Sequence, residues 1–403
     1  MTGSENAAAG QQPLRGILVA DFSRVLAGPL CTMTLADLGA RVIKVERPEN
    51  GDDTRSWGPP WSATGATYFE SVNRNKESVC LDLGTEHGRE LARELALRAD
   101  VVVENFKPGG MDRLGLGYAE LRAANPGLVY ASISGFGDAG GSGLPGYDFV
   151  VQALGGLMSI TGEAGGTPLK AGVALVDVLT AKDTAIAVLA ALQSRRTTGR
   201  GSHVRLNLLS SLQGALANQA QAYLGAGVVP ERMGNAHPSI VPYQLLACAA
   251  VPRAGACGIA AQFAWLAGEL GAPELAADER FATNSARVQH RGTLIPLLEE
   301  RLAAAPAAEW QKRLSAAGIP AGKVSGIDEG IAFAESLGLD PVLEVRDADG
   351  APAGRQIRHP AQWEPALVPR ADAPPRLGQH TDEVLGWLRE PAPERHPEDY
   401  LPR

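Results

Sequence analysis

The segment Leu14–Glu46, LRGILVADFSRVLAGPLCTMTLADLGARVIKVE, sets the fold. LRGILVADF (14–22) is an apolar run of strand length. GPLCTMTLADLGA (28–40) places Leu30, Met33 or Thr34, and Leu38 at helical spacing with Pro29 in the first turn, and RVIKVE (41–46) is a second strand. Strand, helix and strand in succession form a βαβ unit, and such units build a parallel sheet covered by helices. The alternation continues: CLDL (80–83) reads as a strand, Thr85 as the N-cap of a helix through Leu91 and Leu95 to Ala99, and VVVE from Val101 and LVYASIS (128–134) as further strands. A helix around Asp148–Met158 precedes the turn TGEAGG, and a longer one spans about Val178–Gln193 with Ile186, Leu189 and Leu192. RTTGRGSHVRLNLL then reads as a basic turn and a strand. The fold class is α/β, with a Rossmann-like large domain over residues 14–222.

After Leu224, Gly, Pro and Ala become frequent and GNAHPSIVPYQ reads as a linker into a smaller α+β domain over 235–337. The tail 340–403 alternates short polar strands with prolines and is expected to return and complete the large domain. Residues 1–13 are expected to be a floppy tail; they carry neither an apolar signal core nor an Arg-rich transit pattern. The uncharged run Leu206–Pro230 contains Asn207, Gln213, Asn218, Gln219 and Gln221, so it reads as a buried or interface helix and not as a membrane span.

Composition narrows the function. The chain has 403 residues, 45% apolar and 20% charged, which suits a globular protein of more than one domain. A net charge of −8 with no cationic stripe argues against nucleic acid as partner. Cys31, Cys80, Cys248 and Cys257 form no CxxC or Cys/His cluster, which implies reduced thiols, no metal site and a cytoplasmic setting. Where a dinucleotide fold carries GxGxxG the sequence reads SRVLAGPL, with Gly28 alone, so NAD and FAD are disfavoured. GxxxxGK[ST] and GxSxG are both missing, which removes the commonest phosphoryl- and acyl-transfer sites.

A dense series of motifs resembles the family III CoA-transferases, the CaiB/BaiF family. It includes DFSRVLAGP, ADLGARVIKVERP, GDDTRSWGPP, SVNRNKESVCLDL, VVENFKPGGMDRLGLGY, PGYDFVVQALGGLMSITGE, GVALVDVLTA, SRRTTGRGSHVRLNLLSS, RMGNAHPSIVPYQ, ERFATNSARVQHR, GIPAGKV and LGQHT, in order from Leu14 to about Leu385. The runs DDTRSWGPP, NLLSS and GNAHPSIVPYQ most resemble the succinyl-CoA:glutarate branch. The resemblance implies a family III fold and an interlocked homodimer. It implies CoA transfer between carboxylic acids without a prosthetic group or metal, with CoA thioesters as substrates.

Residue by residue, the resemblance makes Asp177 the nucleophile that forms an aspartyl-CoA thioester. From spacing alone Asp177 is also a plain N-cap, and a helix start favours its negative charge by roughly 0.3–1 kcal/mol. The matching CoA contacts are Val25, Ala27, Arg47, Leu81, Asn105, Phe106 and Arg113, with Lys107 less firmly. Tyr147 matches a tyrosine beside the aspartate. In the related acyl-CoA racemases that position is a histidine base, and tyrosine, with a pKa of about 10, is a poor base at neutral pH. Leu26 replaces the glutamine of the oxalate/formate branch. Arg24, Arg74 and the His237 loop are candidates for the distal carboxylate of a dicarboxylate.

One segment departs from the family: LLACAAVPRAGACGIAAQF (245–263) lacks the Asp-Gly and Asn expected around Gly258. That departure leaves a catalytically altered CoA-binding relative as one rival, beside a 2-methylacyl-CoA racemase as the other.

Overall fold

The computed structural model describes residues 12–249, 254–255, 260–391 and 396–400. These form two compact units. One runs to Leu157, resumes over Ala171–Ala226 and takes in the chain from Leu339 onward; the other consists of Met158–Lys170 and Gly227–Gly338.

In the first unit, β1 (Leu18–Asp21), β2 (Arg41–Glu46), β3 (Lys76–Cys80), β4 (Val101–Glu104), β5 (Val129–Ser134) and β6 (His203–Asn207) form a six-stranded sheet. The strands are parallel, in the order β3-β2-β1-β4-β5-β6. That order reverses direction between β1 and β4, and ligands of open α/β sheets bind in the crevice past the carboxyl ends of such strands. Along the strands side chains alternate between faces. Val19, Val42, Val101, Val103 and Val129 pack with α1 (Ala27–Asp37) and with the long helix Leu175–Thr198, whereas Ala20, Ile43, Val102 and Tyr130 face the helix Glu86–Arg98. Both faces are covered, which is why β1 and β4 read as continuous apolar runs.

The helices that matter for the site are α1, α2 (Thr67–Glu70), α3 (Glu86–Arg98), α4 (Gly110–Arg113), α5 (Tyr118–Ala124), α6 (Asp148–Leu154), α7 (Leu157–Ile160), α8 (Leu175–Thr198), α9 (Leu208–Ala215) and α10 (Ala217–Ala226). Thr85 caps α3 as expected, its hydroxyl accepting the Gly88 N–H at 3.0 Å. Gly199 ends α8 in the left-handed region at φ 66°, and a Cβ there would lie 2.4 Å from the Pro397 carbonyl oxygen.

Three expectations need correcting. The third strand is Lys76–Cys80, four residues before CLDL: Lys76 pairs with Val42 and Cys80 with Glu46, so polar side chains disguise a strand. α8 starts at Leu175, not Val178. The uncharged run, read as one buried or interface helix, is two helices: α9 and α10 part at Ala217 (φ 43°), and α10 buries no side chain.

From Leu339 the chain contributes an antiparallel hairpin, Val342–Arg346 with Pro352–Ile357, and a helix Thr381–Leu388 whose Val384 and Leu388 join the α3 face. Of the tail expected over 1–13, only Gln12 and Pro13 lie among the described residues, and Gln12 donates to the Val368 carbonyl at 2.8 Å.

In the second unit the strand content among the described residues is the short pair Leu245–Leu246 with Ala254–Gly255, and the core is helical, built on Phe263, Leu266, Phe281, Leu294, Leu298 and Trp310. Met158–Lys170, which the sequence groups with the large domain, belongs to this unit. No helix among the described residues is long and apolar enough to cross a membrane.

Candidate active site

Under the carboxyl ends of β1, β2 and β3 lies a buried ionic network. Asp21 ends β1 and accepts from the Ser23 N–H (2.9 Å), Thr32 Oγ1 (2.6 Å) and Lys76 Nζ (3.1 Å). Lys44 Nζ donates to Asp52 (2.9 Å) and to the Ser23 carbonyl (2.8 Å). Burial works to raise the Asp21 pKa, but the charges of Lys76 and Lys44 together with the hydrogen bonds from Ser23 and Thr32 outweigh it and hold the carboxyl down at about 2. Glu46 takes both ends of the Arg55 guanidinium at 2.7 and 2.8 Å and the Ser78 hydroxyl at 2.6 Å. The motifs DFS, IKVE, GDDTR and NRNK converge here, so much of their chemistry is scaffold. Gly28 has a packing role as well: a Cβ would sit 2.2 Å from the Ser23 Cβ.

Above this floor, each expected CoA contact follows the end of a strand. Val25 and Ala27 follow β1, Arg47 follows β2, Leu81 follows β3, and Asn105, Phe106 and Arg113 follow β4. Val25 adopts φ 72°, an outlier for a β-branched residue, with its N–H held by the Asp52 carboxylate at 3.2 Å. Asn105 clamps the loop after β1: its Oδ1 accepts the Arg24 N–H at 2.9 Å and its Nδ2 donates to the Arg24 carbonyl at 2.7 Å. The Phe106 N–H is taken by Glu104 at 2.8 Å, whose carboxyl burial pushes up to about 7. Arg24 stacks on Phe106 with its guanidinium carbon 5.9 Å from the ring centroid. Arg47 and Arg113 are exposed, whereas Ala27 and Leu81 are buried.

Asp177 is the third residue of α8, after an N-cap at Ala174, so it is not the cap its spacing suggests. The capping carboxylate comes from outside: Asp148, the first residue of α6, accepts the Val176 N–H at 2.7 Å and the Asp177 N–H at 3.3 Å. Gln152 fixes Asp148 by donating to its other oxygen at 2.6 Å and accepting the Ala171 N–H at 2.8 Å. The backbone donors that the sequence assigns to Asp177 therefore serve Asp148. Half-buried, and beside a second carboxylate, Asp177 is pushed up to about 7. Tyr147 is the N-cap residue of α6, one position from Asp148, and at 65% exposure it is not a core tyrosine.

Sequence reasoning missed Asp148 and Tyr68. Burial, followed by the charges of Asp177, Asp148 and Asp52, pushes the Tyr68 hydroxyl up to about 12, which keeps it a proton donor. Tyr68 packs edge-on to Trp57 at 5.1 Å. The motif PGYD contained Asp148, but no periodicity reveals a cap supplied from another helix.

Other expected residues have partners of their own. Arg74 is buried and bidentate to Asp37 at 2.9 and 2.6 Å, with a third bond to Gln356 at 3.1 Å, so it is committed to structure and not free for a substrate carboxylate. His237 belongs to the second unit, where its Nδ1 accepts the Ser239 N–H at 3.0 Å and its ring meets Tyr243. Gly258 and Cys257 fall outside the described residues, while Cys31 and Cys80 are free thiols. No cluster of three or more metal-ligating side chains occurs among the described residues.

The model of CoA-transferase family III matches residues 14–381. The chain is 42% identical to the succinate–glutarate CoA-transferase of Agrobacterium fabrum, over 93% of this chain and 96% of that protein. It is 40% identical to the succinyl-CoA:glutarate CoA-transferase of Mus musculus, over 93% and 86% respectively. The crystal structure of a CAIB/BAIF family protein from Brucella suis superposes with a TM-score of 0.83 at 43% identity, covering 94% of this chain and 100% of that one. The chain belongs to CoA-transferase family III and is an enzyme that transfers CoA.

Proposed function

We propose that this enzyme transfers CoA from succinyl-CoA to a dicarboxylate such as glutarate, with Asp177 as nucleophile. The observation that carries the reading is the placement of Asp177: a half-buried carboxylate at a helix start, set against Asp148, on the same crossover as Tyr147. The similarity to transferases named for succinate and glutarate supports the substrate pair. Leu26 at the head of α1, in place of the oxalate branch's glutamine, supports poor use of oxalate and formate.

In the proposed reaction the Asp177 carboxylate attacks the thioester carbonyl, the C–S bond breaks, and CoA leaves as thiolate from a mixed anhydride. The thiolate attacks the aspartyl carbonyl, releasing succinate and leaving an aspartyl-CoA thioester. The acceptor carboxylate then displaces CoA to form a second anhydride, and the thiolate attacks its acyl carbon. Acceptor-CoA leaves and the Asp177 carboxylate is restored, so no proton, metal or redox cofactor is consumed. Arg47 and Arg113 serve as cations for the phosphates of CoA, and Val25, Ala27, Leu81, Asn105 and Phe106 line its path. The working form is taken to be an interlocked homodimer, supported by the exposed apolar side chains Tyr223 and Leu224 of α10. The free thiols of Cys31 and Cys80 support a cytoplasmic setting.

The test is covalent. With succinyl-CoA and no acceptor, hydroxylamine should convert Asp177 to a hydroxamate, and an unmodified Asp177 peptide would refute the mechanism. Thioester products from a panel of acids, read by mass, test the substrates; propionate reacting faster than every dicarboxylate would overturn the assignment.

A further inference from the structure

Arg24 and Arg47, on the loops after β1 and β2, end on the same carboxylate. Arg24 Nη1 lies 2.9 Å from Asp53 Oδ2 and Arg47 Nη2 2.6 Å from Asp53 Oδ1. The three side chains are 41, 56 and 38% exposed, and exposed ion pairs contribute little to folding. The geometry is nevertheless fixed. Asp52, the preceding residue, is buried, holds Lys44 at 2.9 Å and accepts the Thr54 N–H at 3.0 Å, which anchors the 3₁₀ turn Asp53–Ser56. Arg24 is clamped through its backbone by Asn105. Two cations and one anion are thus presented from rigid supports at the carboxyl edge of the sheet.

We infer that Asp53 is a built-in counter-anion, a specificity-determining residue that holds Arg24 and Arg47 together until a phosphate group of CoA takes its place. The inference rests on the reading of Arg47 as a CoA contact. A phosphate brings more charge and more acceptor oxygens to two guanidinium groups than one carboxylate does, so it displaces Asp53. A phosphate-free thioester such as succinyl-pantetheine gains nothing from the displacement. Asp53 therefore lowers affinity for every ligand that must break its pairs, and the phosphates restore it for CoA.

The test is calorimetric titration of the full-length wild type and of Asp53→Asn, Asp53→Glu and Arg47→Ala with CoA, dephospho-CoA and pantetheine. Asp53→Asn should bind CoA roughly threefold to thirtyfold more tightly, matching the loss of two exposed pairs, with pantetheine unchanged and Asp53→Glu close to wild type. A gain for CoA alone assigns the 3′-phosphate and a gain for dephospho-CoA as well assigns the diphosphate; both support the counter-anion. In turnover the KM for succinyl-CoA should fall in Asp53→Asn without a rise in kcat. Equal or weaker CoA binding by Asp53→Asn, with Arg47→Ala still weakened, would overturn the inference and leave the CoA contact standing. Unchanged binding in Arg47→Ala would overturn both.

Discussion

Asp148 caps the helix that carries Asp177: one of its oxygens accepts the Asp177 N–H at 3.3 Å and the Val176 N–H at 2.7 Å. Two carboxylates thereby share one helix start, and the capping one takes the backbone donors. The other is left half-buried next to a like charge, which weakens it as an acid and strengthens it as a nucleophile once ionised.

The pH profile follows. Asp177 attacks only as carboxylate, and its pKa is raised to about 7, so the acylation rate should fall as pH drops through that value. Asp148→Asn keeps an acceptor oxygen for the cap but removes the charge. Its acid limb should move to lower pH in single-turnover acylation, and a limb that stays in place would show that Asp148 does not set it.

The same shift has a stability sign. An aspartate whose folded pKa lies above its unfolded value of about 3.9 destabilises the fold progressively as pH rises between the two, and fully above the folded value. Asp177→Asn removes that penalty. Its gain in melting temperature over wild type should be larger at about pH 8.5 than at about pH 5, while transfer is lost.

Arg47→Ala and Arg74→Ala should separate cleanly. Arg47 is 56% exposed, so its loss should leave stability within about 0.5 kcal/mol and weaken CoA binding by about ten- to a hundredfold. Arg74→Ala strands the buried Asp37 carboxylate and should destabilise by about 3–5 kcal/mol in urea unfolding, with CoA affinity of the folded protein preserved.

Lys44→Met tests the floor. The substitution leaves Asp52 buried without its cation, and Asp52 in turn positions Val25 and the Asp53 turn. Destabilisation of about 3–5 kcal/mol is expected, and a variant as stable as wild type would show that the network contributes little.

From Leu14–Glu46 onward, local periodicity was enough to determine the α/β class, the helix after strand β1 and the cap at Thr85, because each depends on residues within one turn of one another. Periodicity failed at Lys76–Cys80, where a buried lysine is held by Asn73, the Pro29 carbonyl and Asp21, the last supplying its counter-charge from fifty-five residues earlier. The motif resemblance marked Asp177, but spacing gave it the wrong local partners, since the cap comes from Asp148 across a crossover. The resemblance also offered Arg47 as a CoA contact and Arg24 and Arg74 as candidates for a distal carboxylate. Only the fold separates them, by burying Arg74 against Asp37 and setting Arg24 and Arg47 on Asp53 at the sheet edge. Sequence fixes which groups can ionise. Which of them meet a partner, and so which stay available for chemistry, depends on distances between strand ends that only the tertiary structure brings together.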